Sequence, residues 1–255
     1  MSSGKRSPLK DKPLRQAGQS VQDQIDDLLD EQIEPYGLIA VFVAVLAGLE
    51  WYRYVKDPIP HPLLMSIAAL AVFGFCAFKI HKLRPKLRQL KQGRDGEKIV
   101  GEFLERLRET GSIVFHDIVA DGFNIDHVVV SEKGIFVVET KTLSKPAGNA
   151  RVWASGVAIR IDGLGDQSKM ADQAIANARW IREMFNQSTG HDYWTHPVLL
   201  FPGWYVEGGT GTDLWTLNPK ALPTFIENAQ PRLRPEDVKL AAYHLSRYIR
   251  ASWEQ

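Results

Sequence analysis

The sequence predicts a mixed α/β domain preceded by a two-helix transmembrane hairpin. Three observations carry this reading. Two uncharged apolar runs, PYGLIAVFVAVLAGL (35–49) and PIPHPLLMSIAALAVFGFCAF (58–78), lie in tandem in the first third of the chain. A dense run of basic residues follows the second. From residue 95 onward, apolar residues fall alternately into helix-like and strand-like patterns.

The chain has 255 residues, 44% of them hydrophobic and 24% charged, with a formal net charge of +1. That is enough for one domain of ordinary size and the added segments. The balance excludes a disordered chain, and it excludes a protein with a global basic field. Affinity for nucleic acid would have to come from a local patch. The single cysteine, Cys76, excludes an internal disulfide framework and a cysteine-based zinc site.

Residues 1–35 read as a polar tail. Its start is basic (Lys5, Arg6, Lys10, Lys12 and Arg15) and its end acidic (Asp23, Asp26, Asp27, Asp30, Glu31 and Glu34). No apolar core follows the basic start at the distance a signal peptide requires. Val21, Ile25, Leu28, Leu29 and Ile33 have helical spacing, so a short amphipathic helix and a solvated tail both fit.

Residues 36–80 read as the hairpin, with spans at about 36–54 and 62–80. Both runs are apolar all round, which suits lipid better than a soluble surface. The first is short, reaching ~22 Å against a ~30 Å hydrocarbon core. Trp51, Tyr52 and Tyr54 extend it into an interfacial aromatic belt, with Glu50 near the headgroups. A buried hairpin in a soluble core is the alternative. Residues 81–94 read as a basic juxtamembrane linker. Lys79, Lys82, Arg84, Lys86, Arg88, Lys91 and Arg94 follow the second run, against Arg53 and Lys56 in the connecting loop. This asymmetry predicts that both termini and the α/β domain lie in the cytoplasm; a multi-pass protein of a bacterial inner membrane is the expected setting. The basic stretch reads first as a topology signal, and second as a surface for anionic headgroups or nucleic acid.

Residues 95–255 read as the α/β domain with a C-terminal helical extension. Gly96 opens a helical pattern with Ile99, Val100, Phe103, Leu104 and Leu107 on one face, and Glu97 near its start. Ile113–Ile118, Phe123–Val130 and Ile135–Lys141 read as strands. Ser131-Glu132-Lys133-Gly134 is a hairpin turn signal between the last two. Arg151–Trp153 and Val157–Ile161 read as a further pair. Asp166–Phe185 has helical periodicity, and Pro197–Phe201 reads as a buried strand. Pro219–Ile226 and Pro235–Ile249 read as helices with Pro in the first turn. Mixed strand directions are expected.

The candidate chemistry sits on the hairpin. Side chains alternate along a strand, so Glu139 and Lys141 share a face. A turn centred between Glu132 and Lys133 sets Asp126 opposite Glu139, with Cβ atoms roughly 5 Å apart. Two carboxylates that close repel unless one is protonated or a cation lies between them. A divalent metal held by both resolves the conflict, and Lys141 beside it orients or helps deprotonate a water and stabilises phosphate charge. A three-residue loop ending at Gly134 is the competing register. It would put Asp126 opposite Thr140 and on the other face, unless a bulge restored it.

Gly96-Glu97 on a helix, Ile125-Asp126-His127 on one strand and Glu139-Thr140-Lys141 on the next resemble the nuclease-related domain, NERD. The resemblance covers roughly Gln92 to Phe201. It implies the PD-(D/E)XK phosphodiesterase superfamily, with a restriction-endonuclease-like mixed sheet flanked by helices, and metal-dependent phosphodiester cleavage. Carried over residue by residue, it makes Asp126 and Glu139 metal ligands, adds the Thr140 carbonyl, and makes Lys141 the catalytic lysine. Glu97 would be a supporting acid and Gln173 a supporting polar residue on the later helix. Ile125 stands where the superfamily's name has Pro.

Each residue also has a structural reading. Glu139 and Lys141 suit an exposed edge pair, although Ile135, Phe136, Val137 and Val138 make that strand apolar on both faces and therefore central. Asp126 suits a turn cap or an arginine partner. His127 reads as a packed histidine rather than a ligand. Glu97 suits a helix N-terminus, and Gln173 a surface position. Trp153, Trp180 and Trp204 suit either base stacking or core packing. The chain has no Walker loop, since Gly208-Gly209-Thr210-Gly211 lacks a following Lys, and no Gly-X-Ser-X-Gly elbow. A glycosidase carboxylate pair is disfavoured by the lysine two residues from Glu139.

The resulting expectation is a membrane-anchored nuclease-like protein using Mg²⁺ (or Mn²⁺). Its expected partners are nucleic acid, DNA ahead of RNA, and the lipid bilayer. A non-catalytic nucleic-acid- or protein-binding module that keeps the fold is the alternative, and a membrane scaffold is a third reading.

Overall fold

The structure is a computed structural model that describes residues 13–56, 61–211 and 213–252. Lys5, Arg6, Lys10 and Lys12 of the basic tail, and residues 58–60 of the second apolar run, lie outside the described residues. The chain divides into two units, residues 21–92 and residues 1–20 with 93–255.

The first unit is helical. Helix α1 (Gln19–Asp27) runs through a π-helical stretch (Leu28–Ile33) into α2 (Glu34–Lys56). Helix α3 (Pro62–Glu105) starts in this unit. Within it, Tyr36 meets Phe75 edge-on and the Trp51 indole donates to Ser66 Oγ, so α2 and the start of α3 run antiparallel. Leu38, Val41, Phe42, Leu63, Leu64, Leu70 and Phe78 are all more than half exposed. Both helices are long and apolar enough to cross a membrane. Two findings differ from the sequence reading. Residues 81–94 are helical throughout, and Gly96 lies deep inside α3 instead of opening a helix. Pro85 is accommodated without ending it. Leu83, Leu87 and Leu90 continue the heptad-like apolar spacing across the expected boundary, so nothing in the local pattern stops the helix.

The second unit has three layers. A five-stranded mixed sheet has the order β1 (Ile113–Ala120), β2 (Phe123–Ser131), β3 (Gly134–Thr140), β7 (Thr195–Leu200), β9 (Trp215–Leu217). The first three are antiparallel, and β3, β7 and β9 are parallel. Helix α4 (Lys169–Thr189) and helix α6 (Pro235–Ala251) cover one face. Ala178, Ile181, Phe185, Val238, Leu245 and Ile249 pack there on Val128, Val130, Ile135 and Val137. The end of α3 and helix α5 (Leu222–Asn228) cover the other, where Val100, Leu104, Leu222 and Ile226 meet Val129, Phe136, Val138 and Val198. Burial on both faces is why β3 is apolar at consecutive positions. A second sheet, not separated in the sequence reading, has the order β6 (Gly165–Asp166), β5 (Ala158–Ile161), β4 (Arg151–Ser155), β8 (Tyr205–Gly208). Its inner residues Val152, Ile159 and Ile161 pack with Ala171 and Ala174 of α4.

The β2–β3 hairpin sets the register of the site. Ser131 pairs with Gly134 and His127 with Val138, which is the two-residue-loop register; the competing three-residue loop does not occur. The Glu132 carbonyl accepts from the backbone N–H groups of Arg232 and Leu233, tying down the turn. Gly134 has φ +134°, and a Cβ there would lie 2.5 Å from the Trp194 ring. Gly134→Ala therefore combines backbone strain with overpacking and should destabilise the protein by about 2–4 kcal/mol. Gly122→Ala, at φ +81° with open space around it, should cost about 1–2 kcal/mol. Urea unfolding of the two variants in detergent measures the difference.

Candidate functional site

Register delivers the acids. Past the His127–Val138 pair, the Thr140 backbone N–H donates to Asp126 Oδ2 at 2.6 Å, so the Asp126 carboxylate reaches the end of β3 beside Glu139. Glu139 and Lys141 share the face that looks toward α4. Lys141 Nζ donates to Glu139 Oε1 at 2.6 Å and to Gln173 Oε1 at 2.8 Å. Asn177 donates Nδ2–H to Glu139 Oε2 at 2.8 Å. The Lys141 backbone N–H donates to the Leu200 carbonyl, so the lysine leaves the sheet from a fixed point.

Glu97 arrives from α3. It is mid-helix, so the helix N-terminus reading is withdrawn; no end-of-helix dipole acts on it. Gly96 explains the approach. A Cβ at that position would lie 1.6 Å from Thr142 Oγ1, so only glycine lets α3 pass so close to the residue after Lys141.

The electrostatics follow from burial and like charge. The Glu97 carboxyl is pushed up to about 7, by burial first and then by Asp117 and Glu139, with Lys141 opposing. Asp126 is driven well above the usual carboxylate range by burial, then by Glu139 and Glu97. Glu139 is raised by burial, and Lys141 and Asn177 work against that. Burial thus raises three carboxyl groups around a single ammonium, and like charge adds to it at Glu97 and Asp126. Fully ionised, they leave a surplus of two negative charges.

That surplus is the test of whether a divalent cation fits. Among the described residues, no three His, Cys, Asp or Glu side chains are grouped closely enough to hold a metal ion. Two carboxylates with water completing the shell are, however, an ordinary Mg²⁺ donor set. Asp126, Glu139 and the Thr140 carbonyl are hard oxygen donors, and a doubly positive ion cancels the surplus. The donor set fits the ion.

The family model of the nuclease-related domain, NERD, matches residues 92–202. Residues 92–202 are thus similar to a nuclease-related domain. NERD is affiliated with the PD-(D/E)XK superfamily. An uncharacterized protein of Bacillus anthracis is 40% identical over 84 residues, 31% of this chain and 38% of that protein. The match thus spans less than half of that relative's length. No solved structure matches the chain.

Within the NERD segment, His127 is fully buried. Its Nδ1 is 2.9 Å from His116 Nδ1, and Nε2 of His116 is 2.8 Å from Glu105 Oε1. Burial holds His127 well below its ordinary pKa, so it is a packed neutral histidine. Trp180 packs against Phe123 and Tyr248, and Trp204 is 2% exposed, whereas Trp153 is 42% exposed.

The sequence reading missed two groups. Asn177 lies one helical turn after Gln173, and this polar pair at i and i+4 on an otherwise apolar face was a usable signal. The second group lies outside the NERD segment. Arg15 Nε is 2.5 Å from Asp117 Oδ2, both side chains are under 10% exposed, and the Ser20 N–H donates to the same oxygen at 2.9 Å. Asp117 has φ +53° and stands across from Asp126, where the β1–β2 ladder skips a rung. The left-handed turn separates two aspartates that a regular ladder would set side by side, and Arg15 neutralises the displaced one. No sequence pattern links residue 15 to residue 117.

A carboxyl whose pKa rises to about 7 on folding stabilises the fold fully below its unfolded value near 4.5, and loses that contribution as pH climbs through about 7. Glu97→Gln should therefore be more stable than wild type above pH 7, by about 1–3 kcal/mol after allowing for partial solvent screening. The gap should close toward pH 4.5. Thermal unfolding of both proteins in EDTA across this range checks it.

Proposed function

We propose that the protein is a membrane-anchored, Mg²⁺-dependent nuclease that hydrolyses phosphodiester bonds of nucleic acid, with DNA ahead of RNA. The observation that carries this reading is the cluster of Glu97, Asp126 and Glu139 around Lys141. Its charge surplus matches a divalent ion, and its amine sits where a phosphate needs a positive partner.

Asp126, Glu139 and the Thr140 carbonyl would hold the ion. When bound, it supplies Lewis-acid polarisation of a phosphoryl oxygen and lowers the pKa of a water. The chain's own residues do the positioning. Thr140 N–H fixes Asp126, and Asn177 fixes Glu139. Gln173 and Glu139 hold the Lys141 ammonium, which is placed to attract the phosphate and stabilise charge developing on it. Glu97 adds negative charge at the rim.

The anchor reading rests on the two long apolar helices with their exposed apolar side chains. An uncovered surface of this kind needs lipid or a partner. The lysine and arginine asymmetry supports a cytoplasmic location for both termini and the α/β domain.

Assays should use the full chain, since Arg15 belongs to the folded unit. Wild type should cut DNA or RNA with Mg²⁺ or Mn²⁺, stop in EDTA and resume on metal return. Lys141→Ala should lose at least about 100-fold in rate with its circular dichroism unchanged. Binding without cleavage across both nucleic acids and both metals would favour the non-catalytic module. For the anchor, the full chain should resist carbonate extraction from membranes. Reporters in the Arg53 loop and at the C-terminus should fall on opposite sides.

A further inference from the structure

The α/β unit carries a groove of about 690 Å³, in the size range of small-ligand sites. Its lining includes Lys145, Lys220, Trp204, Tyr205, Phe103 and Phe225, and no Asp or Glu. Lys145 and Lys220 are exposed, and Tyr205 is 62% exposed. A smaller adjoining cavity shares Lys145 and Tyr205 and adds Arg151, whose guanidinium is paired with Glu207 at 2.9 Å. The Arg151 guanidinium stands 5.4 Å from the Tyr205 ring, and the Lys145 ammonium 5.5 Å from the Trp204 ring. The wall is rigid. The Trp204 indole donates to the Leu143 carbonyl, and the Asn218 side chain donates to the Trp204 carbonyl.

The groove is tied to the acid cluster by the chain itself. Lys145 follows Lys141 by four residues of non-helical backbone, a reach of at most ~14 Å. Lys145 and Lys220, with no carboxylate lining their groove, attract a polyanion, and aromatic side chains accept flat rings. Together they fit phosphates and bases. Only an unpaired strand can present base faces to such walls, because a duplex keeps its bases stacked inside.

We propose that this groove is a subsite for unpaired nucleotides flanking the phosphodiester, with phosphates on Lys145 and Lys220 and a base against Tyr205. This makes single-stranded nucleic acid, or a single-stranded end, the substrate class. It rests on the reading that nucleic acid is the substrate.

The test is fluorescence anisotropy on the full chain in detergent micelles. It is carried out in a Lys141→Ala background so that nothing is cut, with a labelled 20-nucleotide single strand and the matching duplex. The single strand should bind more tightly. Tyr205→Ala should weaken single-strand binding by about 5–100-fold. Lys145→Ala/Lys220→Ala should weaken it and lower the slope of log affinity against log salt by about 1.4. All three positions are exposed, so the fold should survive. Equal affinity for duplex, or variants that bind like their parent, overturns the proposal. If the groove variants lose binding while wild type cuts nothing, the subsite stands and the nuclease reading falls. If wild type cuts and the groove variants bind like their parent, the subsite alone falls.

Discussion

Like-charge repulsion at the end of one β-hairpin organises this site. Glu97, Asp126 and Glu139 come from three separate elements and meet a single ammonium, Lys141. Each carboxyl is raised by burial, and negative neighbours add to this at Glu97 and Asp126. Such a cluster costs stability wherever it is fully ionised and unbalanced. The fold tolerates it because Asp126, Glu139 and Lys141 are each held. Thr140 N–H binds Asp126, Asn177 and Lys141 bind Glu139, and Gln173 shares the lysine. A doubly charged cation would remove the surplus, and on the proposed reading the surplus is retained for that purpose.

The rest of the α/β unit makes this convergence possible. Valines and isoleucines bury β3 on both faces and fix its register. A one-residue slip would turn Asp126 away from Glu139. Gly96 lets α3 come within contact of Thr142. The skipped rung at Asp117 sets a fourth carboxylate apart from Asp126, though it still acts on Glu97, and a segment from the far end of the chain pairs with it through Arg15. The NERD segment is therefore not the whole of the folded unit.

The sequence carried the hairpin well. Its alternation, turn residues and acid spacing sufficed to set Asp126 toward Glu139 and to choose the face of Lys141. Glu97 was found, but its setting was misread. A glycine normally marks a helix boundary, whereas Gly96 marks a close approach inside a 44-residue helix. The second sheet was legible only as strand pieces, because pairing between β4 and β8 joins residues about fifty apart. Arg15 was read as part of a solvated basic tail. Its pairing with Asp117 depends on a backbone kink and on tertiary contact, neither of which leaves a periodic trace.

The most direct measurement is anomalous diffraction from crystals of the full chain soaked in Mn²⁺. One anomalous peak bridging the carboxylates of Asp126 and Glu139 is the expected result. A well-ordered site with no peak there, while the Lys141–Glu139 and Thr140–Asp126 hydrogen bonds persist, would contradict the account.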